Sequence, residues 1–131
     1  MKGRVIYFPS GEKSIEGIAL VSRAPLSFYG GIDAKSGVVI EKGHELEGKN
    51  VKDRILVFPN GKGSTVGSYV IYGLKKNGFA PKAIINKETE TIVATGAILA
   101  GIPCVDKVNT EEIKEGERIQ ITTDGEVTKV I

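Results

Sequence analysis

The chain has no tryptophan and only one methionine, one histidine and one cysteine in 131 residues, and aromatic residues make up 6%. A single cysteine, Cys104, can close no internal disulfide, and by itself it holds neither a zinc site nor an iron–sulfur cluster. Any cluster or metal the protein uses must therefore come mostly from another chain. Cys104 stands in GIPCVD, a short apolar segment after a turn, where a small buried core residue is expected. The single histidine, His44, lies in the charged stretch GHELEG with no catalytic signature around it, which excludes a chymotrypsin-like arrangement. It is expected to be structural or exposed, with a substrate contact as the alternative.

No apolar run approaches the roughly 18 residues of a membrane span. The N-terminal MKGRVIYFPSG is broken at Pro9, too early for a signal-peptide core, so a cytoplasmic location is the default expectation. Basic residues never cluster with aromatics between them, which argues against nucleic-acid binding.

Glycine, by contrast, is abundant: 17 residues, about twice its usual share of roughly 7%. That favours a turn-rich architecture with tight backbone approaches over a helix bundle. Hydrophobic residues at 40% and charged residues at 26% suit one ordinary globular domain, expected to span 1–131. The net charge of +2 is small but of the sign that favours an anionic substrate.

The hydrophobic pattern divides the chain into two styles. RVIYF (4–8), EGIALVS (16–22) and GVVIE (37–41) read as β-branched strands bounded by turn signals. RILVF (54–58), closed by Pro59, reads as a strand buried on both faces. Val66, Val70, Ile71 and Leu74 then repeat at helical spacing over 65–78, ending in Lys75-Lys76-Asn77-Gly78. KAIIN (82–86) is a second buried strand, and 89–101 a mostly apolar helix capped by Thr89 or Thr91 and stopped by Gly101. PCVD (103–106) is a third strand. Asn109 or Thr110 caps at most one further turn, and Asp124-Gly125 marks a closing hairpin. Strand–helix–strand–helix–strand implies a parallel segment with right-handed crossovers. Antiparallel strands flank it, so the expected fold is α/β: a barrel-like β/β/α sandwich with its helices on one side.

One loop combines this framework with chemistry. NGKGSTVGSYV (60–70) joins a buried strand to a helix, at the carboxyl end of the strand where α/β proteins bind ligands. Free N–H groups and the positive end of the helix dipole favour an anion there. Gly61 and Gly63 admit close backbone approach, and Ser64 and Thr65 bring hydroxyls. Nucleotide motifs do not fit. Gly63 separates Lys62 from Ser64 where a phosphate loop needs Gly-Lys-Ser/Thr, and Val66 occupies the third glycine position of the dinucleotide fingerprint. Ser64 as a plain helix cap stays open. As a base, a serine would need its alkoxide held by positive charge and aimed donors, which a helix N-terminus beside Lys62 offers.

Taken in order, APLSFYGGIDAKSGVVIEKGHELEG, RILVFPNGKGSTVGSYV and APKAIINKETETIVATGAILAGIPCV resemble the swivel-domain small subunit of the aconitase X family, over about residues 15–108. The resemblance implies a swivelling β/β/α fold and a heterodimer with a large subunit that carries a [4Fe-4S] cluster. It further implies a hydro-lyase acting on a phosphorylated hydroxy acid. The implied reaction removes water from (R)-5-phosphomevalonate to give trans-anhydromevalonate 5-phosphate, on an archaeal mevalonate route to isoprenoids. In aconitase-like enzymes a serine in a Gly-x-Gly-Ser loop takes the carbon-bound proton, and that position here is Ser64. Lys62, Gly63, Thr65 and Ser68 are the expected substrate-binding companions, Lys62 standing where many aconitase X chains have arginine. Ser68, one helical turn beyond Ser64, is expected either to donate to its alkoxide or to lie on the helix surface.

The chain departs from ordinary aconitases, which continue Gly-Ser-Ser-Arg-Glu: Thr65-Val66-Gly67 lacks the carboxylate-binding arginine. Gly30-Gly31 is expected to shape a turn, with a substrate contact as the alternative. Two other readings stay open, a related dehydratase for a hydroxyproline-type substrate and a non-catalytic module that only grips an anion.

Overall fold

The computed structural model describes all 131 residues. Seven strands form one mixed sheet: β1 (Arg4–Tyr7), β2 (Ser14–Val21), β4 (Ile55–Phe58), β6 (Ala83–Asn86), β7 (Cys104–Asp106), β8 (Arg118–Thr122) and β9 (Val127–Lys129). Two strands of two residues each, β3 (Leu26–Ser27) and β5 (Gly61–Lys62), form a separate parallel ladder. The helices are α1 (Gly67–Asn77) and α2 (Thr91–Ala100), with one 3-10 turn over Thr110–Glu112. Neither helix is long and apolar enough to cross a membrane.

Strand order in the large sheet is β1-β7-β6-β4-β2-β8-β9. The β2-β4, β4-β6 and β6-β7 pairings are parallel, as the two crossover helices require, and the β1, β8 and β9 pairings are antiparallel. The sheet curls until its ends meet. Gly3 N–H donates to Gly125 C=O at 2.8 Å, and Val127 N–H donates to Met1 C=O at 2.7 Å. A sheet closed in this way hides its edge hydrogen-bonding groups.

Alternation along the central strands builds two cores. Ala19, Ile55, Val57, Ala83, Ile85, Val105, Ile119 and Ile121 face one side, into the curl. Leu20, Leu56, Phe58, Ile84 and Cys104 face the other, against Ile71 and Leu74 of α1 and Val93 and Ala97 of α2. Both helices thus cover a single face. The period-2 alternation of each strand, one face to each core, explains why these strands read as unbroken apolar runs.

Three expectations need correction. GVVIE (37–41) is not a strand. It lies in a loop from Phe28 to Val51 that makes only isolated bridges, Ile32 with Val39 and Val38 with Asn50. Tight turns on both sides, such as Gly37 N–H to Asp33 C=O, leave it no length to pair, so Ile32, Val39, Leu46 and Val51 plug the helix-side core from a loop. The cap of α2 is neither Thr89 nor Thr91 but Glu90. Its carboxylate accepts from Ile92 N–H and Val93 N–H at 2.8 Å each and puts a negative charge at the positive helix end. Thr89 is instead held outside the helix by Asp106 and Asn86. Finally, Ser64 does not cap α1 directly; the N-cap is Val66, with no side-chain cap.

The expected helix stops and closing turns are present. The two helices end at Gly78 and Gly101, both left-handed. Asn109 caps the 3-10 turn, and the final hairpin turns through Asp124-Gly125.

Candidate active site

Phe58 ends β4 and stacks against Phe28 at 5.9 Å between ring centroids, tilted by 60°. Burying a phenylalanine contributes on the order of 1.5–3 kcal/mol, so this pair fixes the long loop beside the end of β4. The β3–β5 ladder follows directly, pairing Leu26 with Gly61 and Ser27 with Lys62. The chain then passes through Gly63 and enters α1. At the mouth of this corner stand Gly63, Ser64 and Thr65, all exposed.

Gly63 is required by geometry. Its φ is +91°, and a β-carbon there would lie 2.6 Å from Ser27 Oγ. Only glycine meets both conditions without strain. Gly31 performs a similar service in the facing loop, where a β-carbon would lie 1.9 Å from the Ser27 carbonyl oxygen. Gly30-Gly31 therefore shapes the turn that carries Ser27 and Tyr29, as expected.

Ser64 Oγ accepts the Val66 N–H at 3.2 Å, and Ser64 C=O accepts the Gly67 N–H at 2.9 Å. No group in the chain accepts the N–H of Gly63, Ser64 or Thr65. Three successive unpaired N–H groups at a left-handed bend before a helix suit an anion. The Ser64 hydroxyl thus stands on this loop at the positive end of α1, with no acidic residue in that helix's first turn.

The companions are placed differently from one another. Lys62 lies next to the loop, but its ammonium is paired with Glu41 at 2.9 Å. Thr65 is exposed beside Ser64. Ser68 is buried, and its hydroxyl donates to Thr65 C=O at 3.1 Å rather than to Ser64. Its contribution here is to tighten the first turn of α1.

His44 is held from both ring nitrogens: Leu46 N–H donates to Nδ1, and Nε2 meets Pro25 C=O, each at 3.0 Å. That pattern requires the proton on Nε2 and makes His44 an internal brace. It lines a cleft of about 540 Å³ together with Arg23, Glu41, Lys42, Glu45 and Lys62.

Sequence reasoning passed over Glu41, Ser27 and Glu90. Glu41 follows an apolar stretch that reads as a strand, so nothing marked its side chain as facing a loop 21 residues ahead. Burial opposes ionisation of Glu41, but Lys62 and the Ser27 N–H outweigh it and hold the carboxyl below its ordinary value. The group is a carboxylate at neutral pH.

The residues of this chain do not fit a metal cluster. No group of three or more His, Cys, Asp or Glu side chains is arranged to hold a metal. Burial pushes the Cys104 thiol up to about 12, whereas cluster ligation needs the thiolate.

Comparison with known proteins agrees with this architecture. The family model described as "Aconitase X swivel domain" matches residues 1–130. The chain is 60% identical to the "Phosphomevalonate dehydratase small subunit" of Thermococcus sibiricus, over 97% of this chain and 95% of that protein. It is 54% identical to the protein of the same name from Methanocaldococcus jannaschii, over 100% of this chain and 97% of that one. The crystal structure of Thermococcus kodakaraensis aconitase X, holo-form, superposes with a TM-score of 0.94 at 50% identity, covering 99% of this chain and 97% of that chain. A match running the length of the chain, in sequence and in fold, leads to one conclusion: the chain belongs to the aconitase X swivel domain family.

Proposed function

We propose that this chain is the small subunit of a two-subunit hydro-lyase. The enzyme removes water from (R)-5-phosphomevalonate to give trans-anhydromevalonate 5-phosphate, in an archaeal mevalonate pathway. Residues 1–131 act as one swivel domain, and the enzyme works in the cytoplasm. Relatives at 60% and 54% identity over nearly their full length carry the name of that enzyme's small subunit. The observation that carries the assignment of the base is the Ser64 hydroxyl, exposed at the head of α1 and accepting the Val66 N–H.

Loss of water from a β-hydroxy acid breaks a C–H bond and a C–O bond and forms the C=C bond. Ser64 takes the proton on carbon; the electron pair of that C–H bond becomes the new π bond, and hydroxide leaves with the C–O pair. Ser64 must begin as the alkoxide. The Val66 N–H, already on its Oγ, and the dipole of α1 lower its cost, because they are oriented before charge develops. Gly63 and Thr65 form the wall on which an anionic substrate group rests, and Lys62 supplies positive potential near it. Ser68 acts indirectly by holding Thr65.

The [4Fe-4S] cluster belongs to the large subunit in this reading, since nothing in this chain fits it. The isolated chain is then half an active site. Anaerobic reconstitution with the large subunit of the same source, followed by assay of 5-phosphomevalonate consumption, tests the assignment. Turnover by the pair and none by either chain alone is expected. A reconstituted, cluster-loaded pair that leaves 5-phosphomevalonate unchanged overturns it.

A further inference from the structure

The β3–β5 ladder that carries the chain into the Ser64 loop is only two residues long on each side. A ladder of that size does not hold itself together in water. It needs a tie, and the structure supplies one from a distant part of the chain.

Glu41 reaches into the corner from the long loop. Its Oε2 stands 2.9 Å from Lys62 Nζ on β5, and its Oε1 accepts the Ser27 N–H of β3 at 3.4 Å. Its own N–H donates to Gly31 C=O at 3.2 Å, which fixes the backbone from which the side chain reaches. Ser27 and Lys62 are paired residues of the ladder, and Ser27 Oγ is the atom that a β-carbon on Gly63 would strike, at 2.6 Å. One carboxylate therefore touches both strands immediately before the loop. Its side chain is only 23% exposed, against 49% for Lys62, so it is the better-shielded half of the pair.

We propose that Glu41 is a positioning residue for the Ser64 loop: its carboxylate clamps Lys62 on β5 to Ser27 on β3, and so fixes where Gly63 and Ser64 stand. The clamp rests on the reading of Ser64 as the base. It also assigns Lys62 a double task, anchoring the loop through Glu41 while lending its positive potential to the site. A misplacement of about 1 Å in a reacting group can cost about 100-fold in rate, so a loosened ladder is enough to matter.

Two measurements on Glu41→Gln test this, because the amide keeps an acceptor for Ser27 N–H and removes only the ionic partner of Lys62. The first is amide hydrogen exchange of the full chain. The reporters are Leu26 N–H, bonded to Asn60 C=O, and Gly67 N–H, bonded to Ser64 C=O. Their exchange should quicken about tenfold, while Ile84 in the central sheet stays within about twofold. The second is a cycle in the reconstituted enzyme. Glu41→Gln should lower kcat about tenfold with little change in KM, and Glu41→Gln with Lys62→Met should be no worse than Lys62→Met alone.

Unchanged exchange at Leu26 and Gly67 overturns the clamp. So do single effects on kcat that multiply in the double variant, since Glu41 would then act by a route other than Lys62. If the wild-type pair fails to turn over 5-phosphomevalonate, the functional reading falls separately, and the exchange measurement still decides whether Glu41 clamps the loop.

Discussion

Gly63 rests against Ser27 so closely that a β-carbon on it would stand 2.6 Å from Ser27 Oγ. This contact joins the two loops that make the candidate site, and it sits one residue before the proposed base. Gly63→Ala adds that clash to a φ of +91°, where an alanine is strained by roughly 1–2 kcal/mol. A turn of the Ser27 hydroxyl can relieve the contact, but the strained φ is relieved only if the loop moves. The expected result is a fall in kcat of about 10–100-fold in the reconstituted enzyme, with assembly intact. Steady-state kinetics beside gel filtration checks it, and wild-type kcat would show that the loop position is immaterial.

Adjacent glycines in the facing turn should behave differently. Gly30 has φ +79° but nothing within 4 Å of an added β-carbon, so Gly30→Ala should cost about 1 kcal/mol. At Gly31 a β-carbon would lie 1.9 Å from the Ser27 carbonyl oxygen. Backbone cannot step aside as a side chain can, so Gly31→Ala should cost the upper end of about 1–3 kcal/mol or more. Thermal or urea unfolding of the two variants measures the order directly.

Asp106 is fully buried and bonded to Arg4 at 2.8 and 2.9 Å and to Thr89 N–H at 2.8 Å. Burial opposes its charge, but these donors prevail and hold the carboxyl below its ordinary value. A carboxylate depressed in the folded state adds stability that is complete above its unfolded value of about 4 and is lost as pH falls through the folded one. Asp106→Ala should destabilise the chain by about 1–3 kcal/mol at neutral pH. The variant should also lose part of the acid-induced fall in stability below about pH 4, as read from urea midpoints across pH.

Cys104 is fully buried, and its thiol is pushed up to about 12 by burial. At about pH 8 almost none of it is thiolate, so a disulfide reagent should modify the native chain only as fast as the chain opens. Rapid stoichiometric labelling under native conditions would contradict the buried placement. Labelling in about 6 M guanidinium chloride, where the chain is unfolded, should be complete.

The buried strands and the two helices were legible in the sequence because each carries its own signal. Ile55–Phe58 and Ala83–Asn86 are apolar throughout, and Gly78 and Gly101 end their helices with a residue suited to left-handed backbone. Ser64 and Gly63 were legible as a pattern of residue types on a strand-to-helix loop. The Gly37–Glu41 strand failed because β-branched residues also serve as plugs, as Val39 does from a loop. The Glu41–Lys62 pair and the β3–β5 ladder were not legible. Both join segments more than 20 residues apart over one or two residues each, too short a stretch to leave any periodicity.

Ser64→Ala in the reconstituted two-subunit enzyme tests the central claim most directly. The substitution removes one exposed oxygen whose only bond within the chain is to Val66 N–H, so folding and assembly should be unchanged. Dehydration of 5-phosphomevalonate should fall by about 10²–10⁴-fold in kcat, the usual contribution of a positioned base. An assembled Ser64→Ala enzyme that dehydrates 5-phosphomevalonate at the wild-type rate would contradict the account.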